Sequence, residues 1–282
     1  VATANAVIAA GARPVFVDVK KEDYTMDVAD LRSKITRKSK AVIPVHLYGH
    51  PADMDEISEL ARRHSIDVIE DACQSLGSTY KKKQTGTLGM MGCFSMYASK
   101  VLTSGEGGAV ATDSSEVADK IRMIRNHGMV EGYDTRVLGM NLRLPELSAA
   151  VAAVQMRKLR KMLELRRRNA SMLSRMINPG AKKHRLRIPQ ETAEKKFNWY
   201  LYTVAFESGR DRIKDVLNKA RVGATVYYNP PVHRTPYYLK LARRTKLPST
   251  DWCAGHVLSL PVHPHVSEAD VAHIARSLEA AL

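Results

Sequence analysis

Lys100 ends the segment Phe94-Ser95-Met96-Tyr97-Ala98-Ser99-Lys100, just before the glycine-rich run Ser104-Gly105-Glu106-Gly107-Gly108. Upstream, Val68-Ile69-Glu70-Asp71 reads as a strand that ends on two carboxylates. An amine so placed can condense with an aldehyde to a Schiff base. A carboxylate opening onto the same pocket can keep a pyridine nitrogen protonated. Those two groups make the two-point grip that a pyridoxal phosphate enzyme needs, because the protonated ring is the electron sink of its chemistry. The interval between Asp71 and Lys100 leaves room for a loop and a second strand, so both side chains can face one cavity.

Short apolar runs alternate with amphipathic helical ones through the first half of the chain. Residues 14–19, 41–46, 66–70, 93–97 and 109–112 read as strands, and 28–35 and 53–64 as helices. Met54, Ile57, Leu60 and Ala61 keep the helical period. Ser114 is placed to cap a further helix. This alternation predicts an α/β fold, a mostly parallel sheet flanked by helices. In such sheets ligands gather beyond the carboxyl ends of the strands, where Asp71 and Lys100 both fall. From Pro145 to about Ile177 the pattern is helical, and Asn178-Pro179-Gly180 is expected to break it. The expected division is a large domain over 1–145, a connecting long helix over 146–177 and a smaller α+β domain over 178–282. That last part holds a strand at 199–206, a helix at 210–220, a proline-rich loop at 229–236 and a closing helix from Ser267.

The chain has 282 residues, 44 Lys and Arg against 29 Asp and Glu, and a formal charge of +15, which favours an anionic partner. The densest basic stretch, Met156–Arg168, interleaves Arg157, Lys158, Arg160, Lys161, Arg166, Arg167 and Arg168 with apolar residues. With Ala170, Leu173 and Ile177 it reads as a long amphipathic helix with a solvated basic face. No nucleic-acid reading module accompanies it, and 6% aromatic content gives no stacking platform, so nucleic acid is not the expected partner. No stretch approaches the roughly 20 apolar residues that span a bilayer. Cys73, Cys93 and Cys253, odd in number and without a CxxC spacing, fit a reducing compartment, and the cytoplasm is the expected location. His46 and His50 are separated by Gly49 and followed by Pro51, which speaks against a metal pair on one helix face.

Several segments in register carry a resemblance: Pro44-Val45-His46-Leu47-Tyr48-Gly49, Glu70-Asp71-Ala72-Cys73-Gln74, Cys93-Phe94-Ser95, Lys100, Gly105-Glu106-Gly107-Gly108, Arg125-Asn126-His127-Gly128, Asn141-Leu142-Arg143 and Leu258-Ser259-Leu260-Pro261. Taken together they resemble the DegT/DnrJ/EryC1/StrS family of sugar aminotransferases, from residue 1 to the C-terminus. The resemblance implies the fold type I architecture of pyridoxal phosphate-dependent transferases. It also implies transfer of an amino group, from glutamate, to a nucleotide-linked keto sugar. Lys100 is similar to the lysine that binds the cofactor and moves the proton, and Asp71 to the partner of the pyridine nitrogen. Gln74 resembles the residue bonded to the ring hydroxyl, and Ser95 a phosphate ligand. Asn141 matches an asparagine that one subunit lends to the neighbouring subunit's phosphate site, which implies a homodimer. His233 resembles a residue near the sugar nucleotide.

Members of the family begin with tens of further residues, which include a turn that grips the cofactor phosphate and an aromatic that stacks on the ring. Their lack implies weaker cofactor binding by this chain, and two readings follow: an incomplete record of a working enzyme, or a truncated, impaired paralogue. A related sugar dehydratase would use the same cofactor but carry histidine in place of Lys100.

Overall fold

The computed structural model describes residues 1–242 and 245–282. Helix α1 (Ala2–Ala9) is followed by an extended segment, then by α2 (Val28–Lys34), capped by the Asp27 carboxylate on the N–H groups of Ala29 and Asp30. Strand β1 (Ala41–Val42), helix α3 (Met54–Arg63) and strand β2 (Asp67–Asp71) come next. After a small ribbon of β3 (Thr79–Tyr80) and β4 (Lys83–Gln84), the chain returns through β5 (Met91–Ser95) and β6 (Gly108–Ala111). The main sheet runs β1-β2-β5-β6, parallel for the first three strands and antiparallel at β6. Helix α4 (Ser115–Ile124) starts at Ser114, whose hydroxyl accepts from the Val117 N–H, as the sequence suggested.

The long helix α5 (Glu146–Lys183) leads to β7 (Lys195–Lys196), which joins the ribbon beside β3. Strand β8 (Tyr202–Ala205), helices α6 (Arg210–Lys219), α7 (Pro236–Leu241) and α8 (Pro248–His256), strand β9 (Val257–Leu260) and helix α9 (Glu268–Ala281) complete the chain. Strands β8 and β9 pair antiparallel. Helix α9 opens on a reciprocal capping box between Ser267 and Asp270. One apolar cluster gathers Val28, Leu31, Val42, Ile57, Leu60 and Val68. A larger one gathers Ala170, Leu173 and Ile177 of α5 with Tyr202, Val204, Leu258, Leu260 and Leu278. Among the described residues no helix is long and apolar enough to cross a membrane.

Three local expectations fail for identifiable reasons. Residues 14–19 are extended but unladdered; only Val19 makes a bridge, to Met26. Their apolar pattern reflects packing, Val17 lying against the first cluster, rather than strand pairing. Strand 41–46 is cut at Val42, because Pro44 has no N–H for a ladder. Pairing resumes at Val45 with Asp71, whose N–H donates to the Pro44 carbonyl at 2.9 Å. Finally, Asn178-Pro179-Gly180 does not break the helix, which runs on to Lys183 with Pro179 inside it. A proline there costs about 3 kcal/mol. The turns around it bury Ile177 and Ala181 in the larger cluster, and that packing offsets the loss.

Candidate active site

Strands β2 and β5 lie side by side, parallel, with Asp71 in register with Cys93 and Glu70 with Gly92. Registered neighbours project to the same face and successive residues to opposite faces. Asp71, Cys93 and, two positions on, Ser95 therefore share one face at the carboxyl end of the sheet, while Glu70 points to the other.

Asp71 accepts from the Thr3 hydroxyl at 2.6 Å and from the Cys73 N–H at 3.1 Å. No cation among the described residues pairs with it. Beyond β5 the chain turns, the Lys100 N–H donating to the Tyr97 carbonyl at 3.0 Å. This brings the Lys100 ammonium over the Tyr200 ring, 5.2 Å from its centroid, again without a carboxylate partner among the described residues. Burial, reinforced by the Asp71 carboxylate, pushes the Cys73 thiol up to about 12, while the Lys100 charge acts on it in the opposite sense. The thiols of Cys73 and Cys93 are held protonated there, burial being the first cause in each.

Gln74 is clamped at both ends of its amide: Oε1 accepts from the Tyr48 N–H at 2.7 Å and Nε2 donates to the Tyr228 hydroxyl at 3.2 Å. Tyr48 holds a left-handed φ of 61° and is buried, its hydroxyl bonded to the Tyr227 carbonyl. The Ser95 hydroxyl accepts from the Tyr97 N–H at 3.3 Å. Asn141 forms an isolated bridge with Asn126 in an exposed stretch. His233 is buried beside Asp251, Nε2 lying 3.1 Å from Oδ1 but off the line of a hydrogen bond. Thus Asp71, Gln74, Ser95 and Lys100 lie at or just beyond the carboxyl ends of β2 and β5, while Asn141 bridges Asn126 and His233 lies beside Asp251.

The opposite face of β2 is closed. Glu70 and His46 are fully buried and bonded, Nε2 to Oε2, at 2.8 Å. The Ala52 N–H donates to His46 Nδ1 at 3.0 Å, so Nδ1 is bare and the proton sits on Nε2. Glu70 also accepts from the N–H groups of Gly86, Leu88 and Gly89. Burial alone would raise this carboxyl; the bonds from His46 and Gly86 outweigh it and hold it below its ordinary value. Gly92 lets the loop approach, since a Cβ there would stand 2.1 Å from the Gly86 carbonyl oxygen.

Beside Lys100 opens a cleft of about 200 Å³ bordered by Ser99, Tyr200, Thr225, Tyr227, Ser259 and His263, and by Arg166. Arg166 is 7% exposed, contrary to the solvated basic face expected for its helix. The signal was present in the spacing. Leu159, Leu163, Arg166, Ala170, Leu173 and Ile177 follow steps of three and four, which puts Arg166 on the apolar stripe.

The profile of the DegT/DnrJ/EryC1/StrS aminotransferase family matches residues 1–279. The chain belongs to this family. It is 37% identical over 276 residues to UDP-N-acetyl-3-dehydro-alpha-D-glucosamine 3-aminotransferase of Acidithiobacillus ferrooxidans, covering 98% of this chain and 73% of that protein. It is 34% identical over 291 residues to GDP-perosamine synthase of Caulobacter vibrioides, covering 100% and 76%. The crystal structure of DesV from S. venezuelae superposes with a TM-score of 0.93 at 34% identity, over 99% of this chain and 75% of that one. The fold is that of the family's sugar aminotransferases, the chain is an aminotransferase, and pyridoxal phosphate is the family's cofactor.

Proposed function

We propose that the protein transfers an amino group from glutamate to a keto sugar carried on a nucleoside diphosphate. The observation that carries this reading is a carboxylate, Asp71, at the carboxyl end of parallel strands and an amine, Lys100, just beyond the neighbouring strand, neither in an ion pair among the described residues. Relatives named for UDP- and GDP-linked sugars support the substrate class, as does the charge of +15.

The donor set fits pyridoxal phosphate: among the described residues, a carboxylate without a cation, an amine without an acid and two polar side chains at the ends of neighbouring strands. Bound there, the cofactor would supply an electron sink for the amino acid's α-carbon. Asp71, fixed by Thr3 and Cys73, would hold the proton of the ring nitrogen, since a carboxylate this close favours the protonated form. Lys100 would hold the aldehyde carbon and then take and return the substrate proton as general base and acid. Gln74, clamped by Tyr48 and Tyr228, would meet the ring hydroxyl, and Ser95 the phosphate. The same reading assigns 1–145 to a cofactor domain, the connection to the helix that runs from Glu146 to Lys183 rather than ending at 177, and the residues after it to a small domain, in the cytoplasm.

Asn141 would act in the neighbouring subunit of a homodimer. It lies in an exposed apolar strip that includes Leu138, Met140, Leu142, Leu147 and Val151, with Leu138 94% and Leu147 85% exposed. A second copy covering that strip would bury it. His233, paired with Asp251, would act near the sugar nucleotide through the proline-rich loop. The test is spectroscopic. Purified protein given pyridoxal phosphate develops a visible absorbance band that glutamate bleaches, and Lys100→Ala removes it; a band that persists in Lys100→Ala defeats the reading.

A further inference from the structure

Arg166 is a buried cation without a counter-ion among the described residues. One terminal nitrogen, Nη1, donates to the carbonyls of Trp199 at 3.0 Å and Tyr200 at 3.2 Å. Nε has no acceptor, and Nη2 donates to none among the described residues. Burial lowers the guanidinium to about 10, which leaves it charged at neutral pH. Removing a charge from water costs several kcal/mol unless a partner of opposite sign compensates. Arg210, the other buried arginine among the described residues, has such a partner: its Nε donates to Asp211 at 2.8 Å. No carboxylate is among the residues that line the cleft around Arg166.

The cleft adjoins the candidate Schiff-base lysine. Ser99 lines it, and the Ser99 hydroxyl lies 3.5 Å from that of Tyr200. Tyr200 connects the two places directly: its ring lies under the Lys100 ammonium and its carbonyl receives Arg166. Around the remaining wall stand Thr225, Ser259 and, at the exposed rim, His263, whose own charged form is disfavoured by burial and then by Arg166. A guanidinium whose Nη2 is bonded to none of the described residues, lining a cleft without a carboxylate, suits a small carboxylate anion. A space of about 200 Å³ suits a small acid rather than a whole nucleotide sugar.

We propose that this cleft is the subsite for a carboxylate of the amino donor, with Arg166 as its cation, a role that rests on the aminotransferase reading given above. The donor's carboxylate would then be held one residue away from Lys100, which fixes how the amine is presented. An Arg at this position serves binding and orientation and carries no proton.

Calorimetric titration with glutarate, a diacid without an amine, reads the subsite without turnover. Glutarate binds the unaltered protein, at least about tenfold more weakly to Arg166→Gln, and equally well to Arg167→Gln, an exposed neighbour on the same helix. UDP affinity stays the same in all three. Glutarate binding that is equal in Arg166→Gln, or absent from the unaltered protein, overturns the proposal. A tenfold loss of UDP affinity with glutarate unaffected assigns the cation to a phosphate and overturns it as well. Should Arg166→Gln fail to fold, Arg166→Lys keeps the charge but loses the fork, and must still weaken glutarate severalfold while sparing UDP. Lys100→Ala separates the two readings: it abolishes the cofactor band and leaves glutarate binding intact. Arg166-dependent glutarate binding in a protein that never forms the band would leave the anion subsite standing and the transamination reading defeated.

Discussion

Glu70 and Asp71 are consecutive carboxylates on one strand, yet they live in opposite worlds. Glu70 faces a dry interior where His46 and three backbone N–H groups satisfy it. Asp71 faces a half-open space where a hydroxyl and one N–H hold it and no cation among the described residues forms an ion pair with it. The alternation of the strand alone produces this division. A buried acid with every lone pair engaged organises the fold; its neighbour, oriented but uncompensated, is left for a ligand. Complete satisfaction marks structure, and partial satisfaction at a strand's carboxyl end marks chemistry.

The largest expected effect lies on the closed face. Glu70→Ala strips His46, Gly86, Leu88 and Gly89 of their acceptor, and loss of one partner of a buried charged network costs about 3–5 kcal/mol. Urea midpoints measure it. The folded-state value of this carboxyl is depressed, so the stability it contributes is complete above the ordinary value of 4.5 and is lost as pH falls through the folded one. Glu70→Gln should therefore flatten the acid limb of the stability curve, and an unchanged limb would remove Glu70 from the network's centre.

Asp71→Asn is the mirror experiment. Stability should stay within about 1 kcal/mol, because the group is half-exposed and the amide oxygen can still accept. Amino transfer should fall at least about a hundredfold, the scale seen when one charge-stabilising group is lost from an active site. The comparison breaks if Asp71→Asn unfolds the protein as Glu70→Ala does, or if it leaves the rate untouched.

How much of this was readable beforehand depends on whether a property is local to the chain. The placement of Asp71, Ser95 and Lys100 at the ends of parallel strands follows from alternation and spacing, and the register of β2 with β5 realises it. The Glu70–His46 pair did not emerge, because its donors come from residues 46, 86, 88 and 89, which only the tertiary fold assembles. Arg166 was hidden for another reason. Six more basic residues in Met156–Arg168 made the helix look uniformly solvated, although its phase with Leu163 and Ala170 placed it inward. Pro179 misled in the opposite direction, since a local breaker was outweighed by burial of Ile177 and Ala181 on either side. Among the described residues Thr3 is the other contributor that composition did not reveal: its role depends on helix α1 lying across the end of β2.

Thr3 gives the smallest effect and the sharpest test of the difference between the two acids. Its hydroxyl donates to Asp71 Oδ2 at 2.6 Å, fixing the carboxylate plane together with the Cys73 N–H on Oδ1. Thr3→Val is nearly isosteric and removes only the donor. One hydrogen bond to a charged group at a half-open site is worth about 1–2 kcal/mol. The dissociation constant of pyridoxal phosphate, read from its absorbance titration, should rise about five- to thirtyfold, with thermal stability little changed. Thr3→Ser, which restores the hydroxyl, should recover most of the affinity. A Thr3→Val protein that binds the cofactor as tightly as before would mean that strand geometry and the Cys73 N–H suffice to aim Asp71. In that case the open face of β2 would owe its chemistry to placement alone, without the support that the closed face so plainly requires.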